Sequence, residues 1–317
     1  KFQRVIQEMQ EADIRFLIQQ SNLRSSELKS QEMKDLQAAI KDADKDEKKA
    51  INKLEVSGYA SPDGGVKLNT TLADARQANA QKYLQKQLKK DKVKANIESS
   101  VTAQDWEGFQ KAMEESNIQD KDLVLRVLSM YSDPEEREAQ IKNLSAVYKT
   151  IAEEILPELR RSRLILTTDL IGKSDEEITT LAKNDPAALN VEELLYAATL
   201  TNDANEKMAI YKKVVELFPN DYRGYNNVGM LYFKQGSIAE ARRSYTQALK
   251  IAGNNPDVNY NAGVAAMADN DLKMAEQYLG KAAGTAGNLN AAMGTLYTMK
   301  GDYAAAKKAY GTKPSNN

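Results

Sequence analysis

The sequence contains no histidine and no cysteine. Without these residues the chain cannot form a Ser-His-Asp or Cys-His triad, a zinc site with the usual nitrogen and sulfur ligands, an iron–sulfur cluster or a disulfide. Most enzyme active sites are therefore harder to build here, and no cofactor is implied. A lack of cysteine suits an oxidising compartment, but it is also compatible with the cytosol, so it leaves the compartment open.

The chain also lacks an excess charge and a long apolar run. Its 44 Lys and Arg residues nearly balance its 45 Asp and Glu residues, which argues against binding to nucleic acid or to an anionic membrane. No window of 18 apolar residues occurs, so we expect no membrane span. The chain begins at Lys1 and not at methionine, so the absence of a leader or lipid-anchor signal carries no information.

Length and composition predict a folded protein of about two domains. The chain has 317 residues, of which 42% are hydrophobic, enough for each domain to bury a core. A disordered chain is excluded on this ground.

Residues 1–172 alternate strand and helix patterns. Pro157 should end the helical insertion, and Thr71 should cap the second helix, with Asp74 completing an approximate capping box. The resulting β-α-β-α-β order, helical insertion and last strand predict a two-layer α+β domain. The expected strands are residues 12–18, 54–59, 93–101 and 163–169, the helices are 25–42 and 71–89, and the insertion covers about 102–160.

Residues 173–317 lack strand signals and contain an internal repeat. Gly229 and Gly263 lie 34 residues apart, the length of a tetratricopeptide unit, and a third copy carries Gly294. A degenerate copy covers about 188–221. In each copy, small residues of the first helix should let the second helix pack closely, with its large apolar residue filling the space. Residues 188–311 thus resemble a tetratricopeptide solenoid of about four helix pairs, with a linker near 172–187.

The first helices of such an array should share a concave face. A mixture of methionine, aromatic and polar side chains there suits a protein segment or peptide better than a small metabolite. The alternative is an array that stabilises only itself or its neighbouring domain. The residues expected on this face are Arg223, Asn226, Met230, Phe233, Tyr260, Val264 and Met267.

One arginine of the predicted α+β domain lies in a row of apolar residues on its helix. Arg76 falls in the same helical row as Leu72 and Leu84, so its charge must reach solvent or be answered by an acid. Asp63, in the preceding loop, is the nearest acid in sequence. A loop acid, this arginine and the free N–H groups expected near Thr71 could hold a zwitterion. The alternative is a structural Asp63–Arg76 ion pair.

The loop and helix also match a known motif. Gly58-Tyr-Ala-Ser-Pro-Asp-Gly, followed by Asn69-x-x-Leu72-x-x-x-Arg76, resembles the peptidoglycan-binding motif of OmpA-like domains over about residues 10–170. The pairing of such a domain with Gly-Tyr-Ala-Ser-Pro resembles envelope proteins of the Bacteroides group. The resemblance implies that Asn69, Leu72 and Arg76 help to bind the diaminopimelate of the peptide stem. Ser61 stands at the position of the family aspartate, and Asp63 follows two residues later.

Three functional hypotheses follow. The first is a non-catalytic protein of the periplasm or outer membrane, whose OmpA-like module binds peptidoglycan and whose repeats bind a protein. The second is an envelope assembly scaffold in which both modules bind proteins and the Arg76 pocket is structural. The third is an enzyme that uses carboxylates, although no pair of acids lies on a recognisable cleft motif. Trp106 and Phe109 are either a ligand platform or, as is typical of aromatics at helical spacing, core residues.

Overall fold

The computed structural model describes residues 2–311, which divide into two compact units. The α+β unit is Gln3–Gly172. The helical unit comprises the chain from Lys173 onwards together with Phe2. Among residues 2–311, no helix combines the length and apolar character needed to cross a lipid bilayer.

The α+β unit has two layers of secondary structure, a four-stranded sheet and the helices packed on one face of it, and also contains a helical insertion. This mixed architecture agrees with the fold class expected from the sequence. Its elements are β1 (Val5–Arg15), α1 (Ser25–Leu28), α2 (Gln31–Lys45), β2 (Lys49–Tyr59), α3 (Val66–Asp91), β3 (Ile97–Thr102), α4 (Trp106–Glu115), α5 (Lys121–Met130), α6 (Pro134–Asn143), α7 (Ser145–Glu154), α8 (Leu156–Leu159) and β4 (Arg161–Ile171).

The sheet has the strand order β1-β4-β2-β3, so the first and last strands are neighbours. β4 runs antiparallel to both β1 and β2, whereas β2 and β3 are parallel. The β1–β4 pairing extends from Val5 opposite Ile171 to Arg15 opposite Arg161. The long helix α3 connects the parallel strands β2 and β3, which a tight turn could not join.

One face of this sheet carries the main core. Alternate residues of the central strands, such as Leu54, Val56 and Leu164, point toward α2 and α3 and are buried. The helices contribute Leu36 and Leu84 to the same cluster. Because side chains alternate along a strand, the intervening residues lie on the opposite face of the sheet.

The insertion has a core of its own. Phe109 and Met113 of α4 pack with Val124 of α5 and Ile151 of α7. Trp106 packs against this cluster and meets Phe109 edge to face, with ring centroids 5.6 Å apart. The two aromatics are therefore core residues, the plainer of the two interpretations.

The start of α3 differs from the prediction. The helix begins at Val66 after Gly65, so Thr71 lies in its second turn and does not cap it. Its hydroxyl instead donates to the carbonyl of Lys67, four residues back, at 3.1 Å. A hydroxyl bond back to the carbonyl four residues earlier is typical of threonine in a helix interior, not at an N-cap. The predicted anion site of free N–H groups near Thr71 is therefore wrong.

Several other bounds also differ, and three of the differences have a local reason. β1 begins earlier than expected, at Val5; its first half is exposed on both faces, so it shows no alternation of apolar and polar residues by which the sequence could indicate a strand. Residues 92–93 close the end of α3: Lys92 has a left-handed φ of 60°, and the N–H of Val93 donates to Leu88, so β3 starts only at Ile97. Pro157 lies in the first turn of α8, where proline is tolerated, and does not end the helical run.

The helical unit consists of consecutive short helices. Contacting antiparallel pairs are formed by α12 with α13, α14 with α15 and α16 with α17. Its elements are α9 (Asp175–Asn184), a 3-10 turn (Pro186–Ala188), α10 (Val191–Ala197), a second 3-10 turn (Ala198–Leu200), α11 (Ala204–Leu217), α12 (Tyr222–Lys234), α13 (Ile238–Ile251), α14 (Pro256–Ala268), α15 (Leu272–Leu279), α16 (Leu289–Met299) and α17 (Tyr303–Tyr310).

One contact recurs in each of these pairs. A Cβ atom built on Gly229 would lie 2.8 Å from the ring of Tyr245, and one on Gly263 would lie 2.7 Å from Leu279. A third, on Gly294, would lie 2.5 Å from Tyr310. Only glycine lets the second helix come this close, so the predicted packing of small against large residues is confirmed.

Candidate functional site

The loop that carries the OmpA-like motif joins β2 to α3. Gly58, near the end of β2, lies directly against α3, because a Cβ atom there would be 2.1 Å from the carbonyl oxygen of Ala73. The strand end and the helix are therefore held in contact. This contact places Ser61, Pro62 and Asp63 between the two elements.

Arg76 is fully buried beneath this loop, with 1% of its surface exposed. Its Nε and Nη1 donate to the carbonyls of Gln20 and Tyr59, both at 2.9 Å, and Nη2 donates to Leu17 at 3.4 Å. The guanidinium also lies over the ring of Phe16, 5.3 Å from its centroid. Arg76 thus joins its helix to two backbone segments, the turn at residues 17–20 and the end of β2, and does not point into an open pocket.

The electrostatic surroundings of Arg76 are unfavourable to its charge. Burial, followed by repulsion from Arg160, lowers the pKa of Arg76 to about 10, and attraction to Asp63 opposes the change. The group still carries its charge at neutral pH. Its three carbonyl partners are therefore charge-assisted acceptors.

Asp63 pairs with a different arginine. Its Oδ2 lies 3.5 Å from Nη2 of Arg160, and its buried Oδ1 has no hydrogen bond within the described residues. The hypothesis of a direct Asp63–Arg76 ion pair is therefore wrong, since the guanidinium of Arg76 donates to backbone carbonyls. Arg160 was missed because it lies 97 residues away in sequence. The available signal was the arginine-rich start of the last strand, at 160, 161 and 163.

The other motif residues hold the loop in shape. Asn69 is 3% exposed, and its Nδ2 donates to the carbonyls of Ser61 at 3.0 Å and Gly64 at 3.3 Å. Ser61 is buried and Leu72 is half-buried. The structure thus brings the five predicted residues to one place, but three of them are buried there.

The helical insertion covers the same loop. Glu138 of α6 accepts a hydrogen bond from the backbone N–H of Gly64 at 2.8 Å. Pro62 and Asp63, with Trp106 and Tyr148 of the insertion, line a space of only about 10 Å³. Such a space holds at most one water molecule. A peptide stem could not enter on this side without displacing the insertion.

The face formed by the first helices of the repeats carries a row of amides. Nδ2 of Asn261 on α14 donates to Oδ1 of Asn226 on α12 at 3.0 Å. Within the described residues, Nδ2 of Asn226 and Oδ1 of Asn261 have no hydrogen-bond partner, and neither atom is buried. One free donor and one free acceptor thus lie on adjacent repeats.

Charged groups frame one end of this face. Arg223 pairs with Asp221 and with Glu192 of α10, both at 2.7 Å. The side-chain hydrogen bond from Arg223 lowers the pKa of Asp221, against a smaller opposing effect of burial. Arg223 is therefore engaged within the unit, linking α12 to α10.

The apolar part of the predicted face is smaller than expected. Met230, Phe233, Tyr260 and Val264 are half-buried. The prediction for Met267 is wrong: it is 8% exposed and packs in a core cluster with Leu279 and Leu296. Its position one turn beyond Val264 brings it under the next repeat. The ring of Tyr260 rests on Gly287, where a Cβ atom would lie 2.5 Å from it.

The described residues offer little for metal chemistry. Across residues 2–311, no group of three or more Asp and Glu side chains could hold a metal ion. This is an observation on the carboxylates alone, since the chain has no histidine or cysteine.

Comparison with known proteins identifies the repeat. A family model described as TPR repeat matches residues 229–269, which include α13 and α14. No curated protein matches the chain. The helical unit therefore contains a tetratricopeptide repeat, a motif whose stacked copies form binding surfaces for other proteins.

Several solved structures resemble parts of the chain weakly. MamA is 20% identical, with a TM-score of 0.38, over 43% of this chain and 82% of that one. A MamA fragment from Desulfovibrio magneticus RS-1 is also 20% identical, with a TM-score of 0.36, over 43% and 77%. BtubC from P. vanneervenii is 14% identical, with a TM-score of 0.33, over 66% and 92%.

Proposed function

We propose that this protein is a non-catalytic scaffold of the cell envelope that binds a segment of a partner protein on the first-helix face of its repeats. The observation that carries the proposal is the Asn226–Asn261 pair. A peptide group presents one N–H and one C=O, and the pair leaves one acceptor and one donor free on neighbouring repeats. The half-buried Met230, Phe233 and Val264 on the same helices provide apolar contacts for the side chains of that segment.

The α+β unit supports the second of the hypotheses drawn from the sequence. Its strand and helix order agrees with the order that the OmpA-like resemblance implies. Arg76, however, has its donors on backbone carbonyls, and the insertion covers Asp63. We therefore infer that the motif is structural and that the unit does not bind diaminopimelate through Arg76. The placement in the envelope rests on the motif resemblance of residues 58–76.

Site-specific photo-crosslinking in cells tests the scaffold proposal. A photoreactive residue at position 226 should give a discrete crosslinked adduct with a partner protein. Thr246, exposed on the second helix α13, provides the matched control position and should give none. The double variant Asn226→Ala, Asn261→Ala should weaken binding of the identified partner by about tenfold or more, since two backbone hydrogen bonds are lost. Equal adducts at both positions would contradict the proposal.

A further inference from the structure

A second site lies on the face of the sheet opposite α2 and α3. The insertion helices α4, α7 and α8 meet the sheet there and enclose a cleft of about 560 Å³, within the range of small-molecule sites. Its floor is formed by Asp13, Tyr59, Arg161 and Arg163. Neither the repeat face nor the Arg76 loop forms part of it.

The floor contains a buried and incompletely paired arginine. The side chain of Arg161 is 7% exposed, and its Nη1 donates to Asp105 Oδ2 at 2.8 Å. Its guanidinium lies 4.3 Å from the centroid of the Tyr59 ring. Its Nε is buried without a hydrogen bond, 3.9 Å from Asp13, and its Nη2 has no partner among residues 2–311. A buried guanidinium normally uses these donors, so the cleft presents an unmet need for an acceptor.

Two more arginines lining the cleft have spare donors. Arg163 binds Asp13 through Nε and Nη2, and no described residue accepts from its Nη1. Arg15 binds Glu158 through Nε alone, at 2.6 Å. The carboxylate oxygens of Asp13 and Asp105, in contrast, all accept hydrogen bonds already. Arg15, Arg161 and Arg163 thus keep N–H groups that no described residue accepts, which favours an anionic group beside them.

The rim of the cleft has the opposite character. Glu107 and Glu115 of α4 and Glu154 of α7 are exposed, and none has an ion-pair partner in the described part of the chain. Lys111 is the one cation on that stretch of α4 that faces the cleft. Unpaired carboxylates at the mouth repel a polyanion such as a phosphate ester and attract a cation.

We propose that this cleft binds a zwitterion that carries a carboxylate at one end and a cation at the other, of the kind formed by a lysine or arginine with a free α-carboxylate at the end of a peptide. The carboxylate lies against Arg15, Arg161 and Arg163, and the side-chain cation lies between Glu107 and Glu154. Tyr59 and Ile155 line the cleft as apolar surface for the intervening methylene groups.

Calorimetric titration of the full chain with three probes tests the ligand class. Nα-acetyl-L-lysine should bind, whereas Nα-acetyl-L-lysine amide lacks the carboxylate and Nα-acetyl-L-norleucine lacks the ammonium. Each of the latter two should bind about tenfold more weakly or worse, the loss expected for one charge-assisted contact. No binding of Nα-acetyl-L-lysine at millimolar concentration, or equal binding of all three probes, would overturn the proposal.

Variants locate the two ends of the ligand. Arg15→Gln and Glu154→Gln should each weaken binding of Nα-acetyl-L-lysine by about tenfold. Arg126→Gln and Glu153→Gln, which change residues of the same unit outside the cleft, should leave binding unchanged. Arg15 and Glu154 are partly exposed, so both variants should fold, which circular dichroism checks. Weakening by Glu154→Gln alone would indicate a simple cation site and would overturn the zwitterion.

Discussion

Asp105 and Arg161 form a buried ion pair of 2.8 Å, and the same aspartate caps helix α4. Its Oδ1 accepts from the backbone N–H of Gly108 at 2.9 Å, while Oδ2 accepts from Arg161. One side chain therefore joins the helical insertion to the last strand of the sheet. The pair lies at the floor of the cleft, so insertion, sheet and cleft depend on it together.

Two substitutions separate the roles of Asp105. Asp105→Asn keeps an acceptor for the helix cap but removes the charge opposite Arg161, whereas Asp105→Ala removes both. We expect Asp105→Ala to lower the free energy of unfolding by about 3 to 5 kcal/mol, as when a buried ion pair loses one partner, and Asp105→Asn by less. Urea unfolding followed by the fluorescence of Trp106, the single tryptophan, reports on this unit. The exposed cap Asp133→Ala serves as control and should cost about 1 kcal/mol.

Arg76→Met should destabilise the α+β unit, because Arg76 binds backbone carbonyls of that unit. The substitution leaves the carbonyls of Leu17, Gln20 and Tyr59 without their donor, at a cost of about 3 kcal/mol or more. The same fluorescence-detected urea unfolding measures the change. Arg126→Met, on the insertion, should have little effect. An unchanged unfolding midpoint for Arg76→Met would show that the arginine does not hold these segments together.

Ser61→Asp restores the acid of the OmpA-like motif and should still not create a peptidoglycan site. Ser61 is buried, so we expect the new carboxylate to destabilise the loop by a few kcal/mol. Sedimentation with purified cell walls, and titration with a diaminopimelate-containing stem peptide, should therefore detect no gain in binding by Ser61→Asp over the wild type. Tighter binding by Ser61→Asp than by the wild type would return the α+β unit to the peptidoglycan-binding hypothesis.

Gly263→Ala should destabilise the repeats by about 1 to 3 kcal/mol, because the new methyl group meets Leu279 at 2.7 Å. Thermal unfolding followed by helical circular dichroism gives the change. Leu279→Ala in the same chain should make room for the methyl group. The double variant should therefore lose less stability than the two single variants together. Strict additivity would mean that the two side chains do not contact each other.

Acid should weaken the helical unit partly through Asp221. Arg223 lowers the pKa of this carboxyl below its ordinary value of 3.8. A lowered pKa in the folded state stabilises the protein above the ordinary pKa, and this contribution disappears as the pH falls through the folded value. Stability should thus decrease as the pH falls below 3.8, and Asp221→Asn should show a smaller decrease. Equal pH dependence of the two proteins would contradict this assignment.

The repeat could be predicted from the sequence because its contacts are local and periodic. Gly229 and Tyr245 meet within one helix pair, and the same pair of sizes returns at Gly263 and Leu279. The exposure of Met267 could not be predicted, because its burial depends on how far the next repeat, with Leu296, packs over it. A repeat pattern shows which residues share a face, but it does not show the packing of one repeat against the next.

The partners of Arg76 and Asp63 could not be predicted from the sequence pattern. The apolar spacing of α3 correctly predicts that Arg76 lies on the buried side of its helix, where a charge needs a hydrogen-bonding or charged partner. Its partners are three backbone carbonyls, and a sequence motif gives no information on such partners because every residue has a carbonyl. Likewise, nothing near Asp63 in sequence indicates that its partner, Arg160, follows a long helical insertion. Long-range pairing of this kind is fixed by sheet order and not by spacing.

Because β1 and β4 are neighbours in the sheet, the first and last residues of the α+β unit lie side by side. The backbone N–H of Gly172 donates to the carbonyl of Arg4 at 2.7 Å, immediately beyond the paired ends of the two strands. A Cβ atom at position 172 would lie 2.9 Å from that oxygen, so a glycine at this position allows the two strand ends to come this close. Because its two ends are adjacent, we expect this unit to tolerate transfer into a loop of another host protein, where it would leave the two ends of that loop close together.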